Sequence, residues 1–275
     1  MSRICWLASY PKSGNTWLRV FLANAIGRAE TPFDINMLRD FGAGDARASL
    51  YERAAAKPLA EISEDELMRL RPAVQRFLAN RRPGLAFVKT HNAIAVIDGV
   101  PTIAPEVTAG AVYVVRNPLD VAVSYAHHSA VDLDAAVSAL CAPGTRLITA
   151  GRSVTSVLGS WSGHVESWTA APGLDAHVVR YEDLLAKPVP TFRGVLDYLK
   201  LELSREELKR AVRFASFKEM ERQEASAGFV EGVATERRFF RAGRAGEGRR
   251  KLSPAQVARL IEANGEVMRR YGYLS

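Results

Sequence analysis

Ile4-Cys5-Trp6-Leu7-Ala8-Ser9-Tyr10-Pro11-Lys12-Ser13-Gly14-Asn15-Thr16-Trp17 is the stretch whose reading decides the fold. The short apolar run Ile4–Ser9 reads as a buried strand. Helical spacing takes over from about Asn15 to Gly27, where Trp17, Leu18, Phe21, Leu22, Ala25 and Ile26 form an apolar stripe. Between them lies a turn carrying Lys12, Ser13, Gly14 and Thr16. Such a strand–turn–helix junction is a phosphate cradle: first-turn N–H groups point outward, and the helix dipole favours an anion there. Lys12 adds a full charge, and Ser13 and Thr16 add donors. Lys12 precedes the single glycine, so the string is not the G-x-x-x-x-G-K-[ST] pattern. The plain alternative is an ordinary loop with a Ser or Asn cap, which the complete string Tyr10–Trp17 outweighs.

Three further apolar runs, Leu85–Val88, Ala111–Val115 and His177–Arg180, alternate with helical segments. That alternation predicts a parallel sheet with right-handed crossovers and helices on both faces. Ligands bind such sheets beyond the carboxyl ends of the strands. Lys89-Thr90-His91 follows the second run, and His91 there is a candidate general base; the alternative is a structural histidine bonded to backbone. Arg116-Asn117-Pro118 follows the third, with Asp120 and Ser124 on the next helix. A guanidinium plus a hydroxyl suits a phosphate; the alternative is an Arg116–Asp120 pair. Glu182 and Asp183, after the fourth, read as helix-capping acids ahead of metal ligands. His127, His128, His164 and His177 read as structural, and adjacent histidines on a helix diverge too far to share a metal. Trp161 and Trp168 read as core. Helix starts are expected at the capping boxes Ser63/Glu66, Ser204/Glu207 and Ser216/Glu219, and at Ser253-Pro254 with Gln256.

The 275 residues suit one large domain or two small ones, large enough to need no metal or disulfide staple. With 48% hydrophobic and 24% charged residues the chain is neither disordered nor fibrous. No apolar run approaches the ~18 residues of a membrane span, and the N-terminal run is too short for a signal-peptide core. Only Cys5 and Cys141 occur, which points to a reducing, cytoplasmic setting and no zinc site. Residues Arg237 to Lys251 hold Arg237, Arg238, Arg241, Arg244, Arg249, Arg250 and Lys251 against Glu247, or +6 of the net +7. A localised anion site is the better reading than a surface coating nucleic acid.

Taken together, Tyr10–Trp17, Lys89-Thr90-His91, Arg116 to Tyr125, Tyr181-Glu182-Asp183, Ser216 to Met220 and Phe240 to Glu247 resemble the sulfotransferases dependent on 3′-phosphoadenosine-5′-phosphosulfate (PAPS), particularly the soluble branch. Chain length and N-terminus are similar to bacterial members, including those that sulfate glycopeptide antibiotics. The resemblance implies a single domain over 1–275 with the three-layer α/β/α, P-loop-nucleotide-kinase-like sulfotransferase fold. It implies that Lys12 contacts the oxygen bridging phosphate and sulfuryl group, that the backbone of Ser13, Gly14, Asn15 and Thr16 holds the 5′-phosphate, and that Trp17 stacks on adenine. Arg116, Ser124 and Arg241, with Ala242 and the Gly243 backbone, would hold the 3′-phosphate. Tyr181 and Phe217 would flank adenine, His91 would act as base, and Lys89 would support the transferring group; Ser124 is placed with the catalytic set as well. The sequence departs from the family at Ala242, often Lys, at Ala215, often Thr, and at Gly248, often Trp. The animal-type dimer motif is not legible around 249–258.

The activity implied is sulfuryl transfer from PAPS to a hydroxyl of a small molecule or natural product, leaving 3′-phosphoadenosine-5′-phosphate (PAP), with no metal and neither nucleic acid nor membrane as partner. The competing readings are an ATP- and Mg²⁺-dependent kinase, which leaves Arg116, Ser124 and Arg241 without a task, and a non-catalytic nucleotide-binding protein. Acceptor walls are expected from segments 31–83, 127–165 and 222–238, which mix Phe33, Met37, Phe41, Tyr51 and Phe229 with charges.

Overall fold

A computed structural model describes residues 2–81, 83–148, 151, 153–232 and 238–274; Arg237 and parts of the three acceptor segments lie outside them. The strands are β1 (Arg3–Ser9), β2 (Leu85–Thr90), the short hairpin β3 (Val96–Ile97) and β4 (Val100–Pro101), β5 (Thr108–Val115), the hairpin β6 (Arg146–Leu147) and β7 (Ser156–Val157), and β8 (Ala176–Arg180). The helices are α1 (Asn15–Ile26), α2 (Ala48–Ala55), α3 (Glu64–Ala79), α4 (Pro118–Ser129), α5 (Leu133–Cys141), α6 (Trp161–Thr169), α7 (Tyr181–Ala186), α8 (Pro188–Tyr198), α9 (Arg205–Phe214), α10 (Phe217–Ala227), α11 (Gly248–Lys251) and α12 (Pro254–Arg270).

The main sheet has four strands in the order β2-β1-β5-β8, all parallel. Because side chains alternate across a strand, β1 and β5 feed two cores. Ile4, Trp6, Ala8, Ala111, Tyr113 and Val115 face α3, α6 and α12 through Val74, Leu78, Trp161, Trp168, Leu260 and Met268. Cys5, Leu7, Val112 and Val114 face α1, α8 and α9 through Leu18, Phe21, Phe192, Val195 and Leu208. Burial on both faces is why the strands read as continuous apolar runs. From β1 the chain goes on to β2 on one side, while β5 lies on the other. The carboxyl edge between β1 and β5 is thus the switch point where a crevice opens.

Two strands run further than the apolar runs suggest. β2 continues through Lys89 and Thr90, which pair with Leu7 and Ala8, because residues 43–45 line its outer edge: Lys89 N–H donates to Ala43 O and Asp45 N–H to Lys89 O, both at 3.1 Å. β5 begins at Thr108, whose Oγ1 accepts from Trp6 Nε1 at 2.9 Å. Ser204 and Ser253 form full capping boxes with Glu207 and Gln256. Ser63 and Ser216 accept only the forward bond, because Glu66 turns to Lys57 and Glu219 to Arg222. Glu182 caps across the fold: its Oε1 accepts from Asn117 N–H at the start of α4 at 3.0 Å. Trp161 and Trp168 are fully buried. Among the described residues no helix is long and apolar enough to cross a membrane.

Candidate active site

The β1–α1 turn is shaped by its backbone. Lys12 lies at φ 68° and Gly14 at φ 110°. A side chain at Gly14 would put its Cβ 2.8 Å from the Tyr181 ring, so glycine answers both the left-handed conformation and the close approach. Lys12 has no such excuse, and a left-handed non-glycine residue at a ligand-binding turn is stored strain. Gly14 offers α1 no side-chain cap, so the first-turn amides remain available to a ligand. Asn15 points the other way, donating from Nδ2 to Leu7 O at 2.8 Å, and fastens α1 to β1. Ser13 Oγ and Trp17 Nε1 are buried donors without a partner among the described residues.

This turn forms one end of a cleft of about 550 Å³. Lys12, Gly14, Asn15, Thr16 and Trp17 line it, as do Lys89 and His91 from the end of β2. Arg116 and Ser124 join from β5 and α4, Tyr181 from α7 and Phe217 from α10, and Arg241, Ala242 and Gly243 from the segment before α11. Of the expected set, only Ser13 stands behind the wall.

Arg116 is 7% exposed. Its Nη1 donates to Lys12 O at 3.1 Å and Nη2 to Arg244 O at 3.2 Å, while Nε has no partner. The guanidinium thereby joins the first turn to the C-terminal segment and lies over the Tyr181 ring, 4.3 Å from its centroid. The expected alternative, a pair with Asp120, is loose at 4.0 Å. Asp120 instead accepts from Gly246 N–H and Gly248 N–H, each at 2.7 Å. Arg241 is held by Glu247, from Nη2 to Oε2 at 2.5 Å. Glu247 also meets Arg244 and Lys251, and these cations, Arg241 above all, bring its carboxyl down to about 2. A side-chain carbon at Gly243, at φ 55°, would strike the Phe217 ring at 2.4 Å.

His91 is fixed in one tautomer. Its Nδ1 lies 2.8 Å from Ser9 O. A carbonyl only accepts, so Nδ1 carries the proton and Nε2 keeps its lone pair. Burial first, then the Lys89 charge, holds the imidazole well below its ordinary value, so it is neutral at pH 7. Behind it, His164 Nε2 lies 3.0 Å from His91 O and its Nδ1 2.8 Å from Tyr113 Oη, so Nε2 donates and Nδ1 accepts. Trp168 Nε1 donates to Asn92 O at 2.9 Å. One face of α6 thus pins the backbone at the base.

Burial, with Lys89 and Arg116 adding to it, brings Lys12 down to about 7; its Nζ sits 3.9 Å from the Phe239 ring centroid. Burial also lowers Lys89, against the opposing pull of Glu231, whose Oε2 is 3.6 Å away. Glu231 is gripped by fully buried Arg19 of α1, through Nη1 at 2.7 Å and Nη2 at 2.8 Å. Burial would raise the Glu231 carboxyl, but Lys89 and Arg19 together hold it well below the usual range.

Sequence reading passed over Glu231, Arg19, Phe239, the hold of Asp120 on Gly246 and Gly248, and the supporting role of His164. Glu247 carried a signal, as the one acid in a basic run; Arg19 and Glu231 lie 212 positions apart and carried none. The apolar acceptor-wall candidates do not reach the cleft. Phe33, Phe41 and Phe229 pack against the second core, Tyr51 is buried in the first, and Met37 is 49% exposed.

The sulfotransferase domain family matches residues 3–272, and the chain belongs to that family. It is 26% identical to sulfotransferase 1B1 of Canis lupus familiaris over 217 residues, 78% of this chain and 64% of that protein. It is 27% identical to the Mus musculus sulfotransferase 1B1, over the same shares. The match thus spans a little under two thirds of the length of these relatives. Cytosolic sulfotransferase 17 of Arabidopsis thaliana is 23% identical over 98% of this chain and 75% of its own. Among solved structures, mouse sulfotransferase SULT7A1 complexed with PAP aligns at TM-score 0.62, 22% identity, covering 99% of this chain and 87% of that one. Retinol dehydratase in complex with androsterone and PAP aligns at 0.64, 20% identity, covering 96% and 80%. These likenesses show that the fold is the sulfotransferase fold.

Proposed function

We propose that the protein transfers a sulfuryl group from PAPS to a hydroxyl of a small-molecule acceptor. The observation that carries this reading is His91: a neutral imidazole with Nε2 free as acceptor, in the same cleft as Lys12 and an Arg116–Ser124–Arg241 anion end. The unpartnered buried donors Trp17 Nε1 and Arg116 Nε, on residues that line the cleft, suit the oxygen-rich nucleotide, since phosphate and sulfate oxygens only accept. Lys12 and the backbone amides of residues 13–16 would hold its 5′ end. Arg116, Ser124, Arg241 and the Gly243 backbone would hold its 3′-phosphate, and Trp17, Tyr181 and Phe217 its base.

The donor, when bound, supplies an activated sulfuryl group. His91 Nε2 takes the proton of the acceptor hydroxyl. Ser9 O keeps the imidazole from rotating and, through Nδ1–H, favours the cationic form that follows. Lys12 and the loop amides would stabilise negative charge on the departing phosphate oxygen, and Lys89, kept in place by Glu231, would support the transferring group. The rest of the acceleration is alignment. SULT7A1 and retinol dehydratase were solved with PAP, and retinol dehydratase also with androsterone, which supports both a PAPS donor and a small-molecule acceptor here.

The test is incubation with PAPS and an acceptor panel, read as a mass gain of one sulfuryl group. Turnover is expected to survive EDTA, because the cations come from side chains; inactivation that Mg²⁺ restores would favour the kinase reading.

A further inference from the structure

Asn92 follows the base in the chain and is completely buried, and every one of its polar groups is bonded. Its N–H donates to Thr90 Oγ1 at 3.0 Å, and its carbonyl accepts from Trp168 of α6. Its side chain reaches two further segments: Nδ2 donates to Asp45 Oδ2 at 3.0 Å, and Oδ1 accepts from Val157 N–H of β7 at 2.9 Å. Ala93 N–H donates to Val157 O at 2.7 Å, so the chain just past the base runs bonded to β7. Asp45 is held in turn. Its N–H donates to Lys89 O, and its Oδ2 lies 3.9 Å from Nη1 of buried Arg71 on α3. Arg71 Nη2 donates to Thr155 O at 2.8 Å, beside β7. Segment 43–45, the end of β2, β7 and α6 thus meet at one residue, backed by α3. Lys12, Arg116 and Arg241 take no part in these bonds.

We propose that Asn92 is the positioning residue for the base: its side-chain amide, clamped between the Asp45 carboxylate and the Val157 N–H, sets the backbone from which His91 aims Nε2 at the acceptor hydroxyl. The inference rests on the sulfotransferase reading of the site. The His91 ring is tethered at Nδ1 by Ser9 O, and its main chain is carried by Asn92. A shift of that main chain strains the Nδ1 bond and swings Nε2, which lies across the ring. A misplacement of about 1 Å can cost on the order of 10²-fold in rate. The residue type follows from the partners. Val157 N–H needs an acceptor and the Asp45 carboxylate a donor, and a side-chain amide offers both on one planar head. An apolar residue would leave a buried N–H unpaired. An aspartate would still accept from Val157 but would set two carboxylates face to face.

The experiment compares the full chain with Asn92→Asp and with the paired exchange Asp45→Asn plus Asn92→Asp, which rebuilds the bond with its polarity reversed: an amide at 45 donates to a carboxylate at 92, and Val157 N–H keeps its acceptor. Turnover is measured with PAPS and the fastest acceptor of the panel, PAP affinity by calorimetry, and the His91 tautomer by ¹⁵N NMR of histidine-labelled protein, with His91→Ala assigning the signal. Asn92→Asp is expected to lower kcat about ten- to hundredfold, to leave PAP affinity unchanged, and to turn the single Nδ1–H form of His91 into a mixture. The paired exchange is expected to recover both kcat and the single tautomer. Unchanged kcat in Asn92→Asp, or a parallel fall in kcat and PAP affinity, overturns the inference. So does a folded paired exchange that stays as slow as Asn92→Asp, or failure of both variants to fold, which would make Asn92 structural. If Asn92→Asp alone fails to fold, the paired exchange decides. Absence of wild-type turnover with PAPS would instead count against the sulfotransferase reading, and the NMR comparison, which needs no turnover, would then decide this one.

Discussion

Two side chains at the head of the cleft are tuned by the same surroundings in opposite service. Lys12 has a lowered pKa of about 7 because it is buried beside Lys89 and Arg116. Its neutral form therefore gains ground as pH rises through 7 in the free protein, and a bound phosphate restores the charged form. Binding of PAP at pH 8 should take up protons, visible in calorimetry as a heat that depends on the buffer's ionisation enthalpy, and affinity should weaken as pH rises. A heat independent of buffer would mean that Lys12 stays charged throughout. His91 is lowered as well, but here the neutral form is the working one. Turnover should therefore hold steady as pH falls from 8 to below 6.5, the ordinary histidine value. His91→Ala should lose roughly 10²–10⁴-fold in turnover and little in PAP affinity. If nucleotide affinity fell in parallel, the ring would be structural. The positions of Lys12 and His91 were legible because each follows the end of a strand; the tautomer was not, since it depends on Ser9 O, 82 residues away.

Helices and turns fasten this chemistry. α4 reaches the C-terminal segment through Asp120, which holds Gly246 and Gly248 by their N–H groups, and α1 holds the stretch after α10 through Arg19 and Glu231. Asp120→Ala should cost roughly 1.5–3 kcal/mol for each charge-assisted bond lost and should weaken 3′-phosphate recognition, because Arg116 and Arg241 flank that segment. Glu231→Ala leaves Arg19 charged and buried without its partner, a change of roughly 3–5 kcal/mol, read by urea unfolding. A loss below about 1 kcal/mol would show that the pair is not closed to solvent. The depressed Glu231 carboxyl contributes in full above its unfolded value, near about 4.3, and loses its contribution as pH falls toward the folded value. Element starts were legible where a cap or proline marks them, as at Ser204, Ser253 and Pro118. The full length of β2 and β5 was not, because Lys89 and Thr108 are held there by partners remote in sequence. The two half-formed capping boxes show that a motif's second bond depends on which cation lies nearby.

Across the whole molecule, period-two alternation in β1 and β5 distributes side chains to two cores, and the crossing from β2 to β5 opens the crevice at the carboxyl edge between β1 and β5. That much follows from the order of strands and helices in the sequence, which is why the fold and the strand ends that line the cleft could be read from it. The acceptor side could not, because whether Phe33, Phe41 or Tyr51 turns inward or toward the cleft depends on packing that no local pattern records. The basic run near the C-terminus shows the same division: its charge was legible, but not that Glu247 holds Arg241 in place. The central claim is that this protein recognises a 3′-phosphorylated adenine nucleotide, and calorimetric titration of PAP against AMP tests it most directly. Arg116, Ser124 and Arg241 predict that PAP binds at least about tenfold more tightly, with most of the difference lost in Arg116→Ala, since each charge-assisted bond contributes about 1.5–3 kcal/mol. Equal affinity for the two nucleotides would contradict the account.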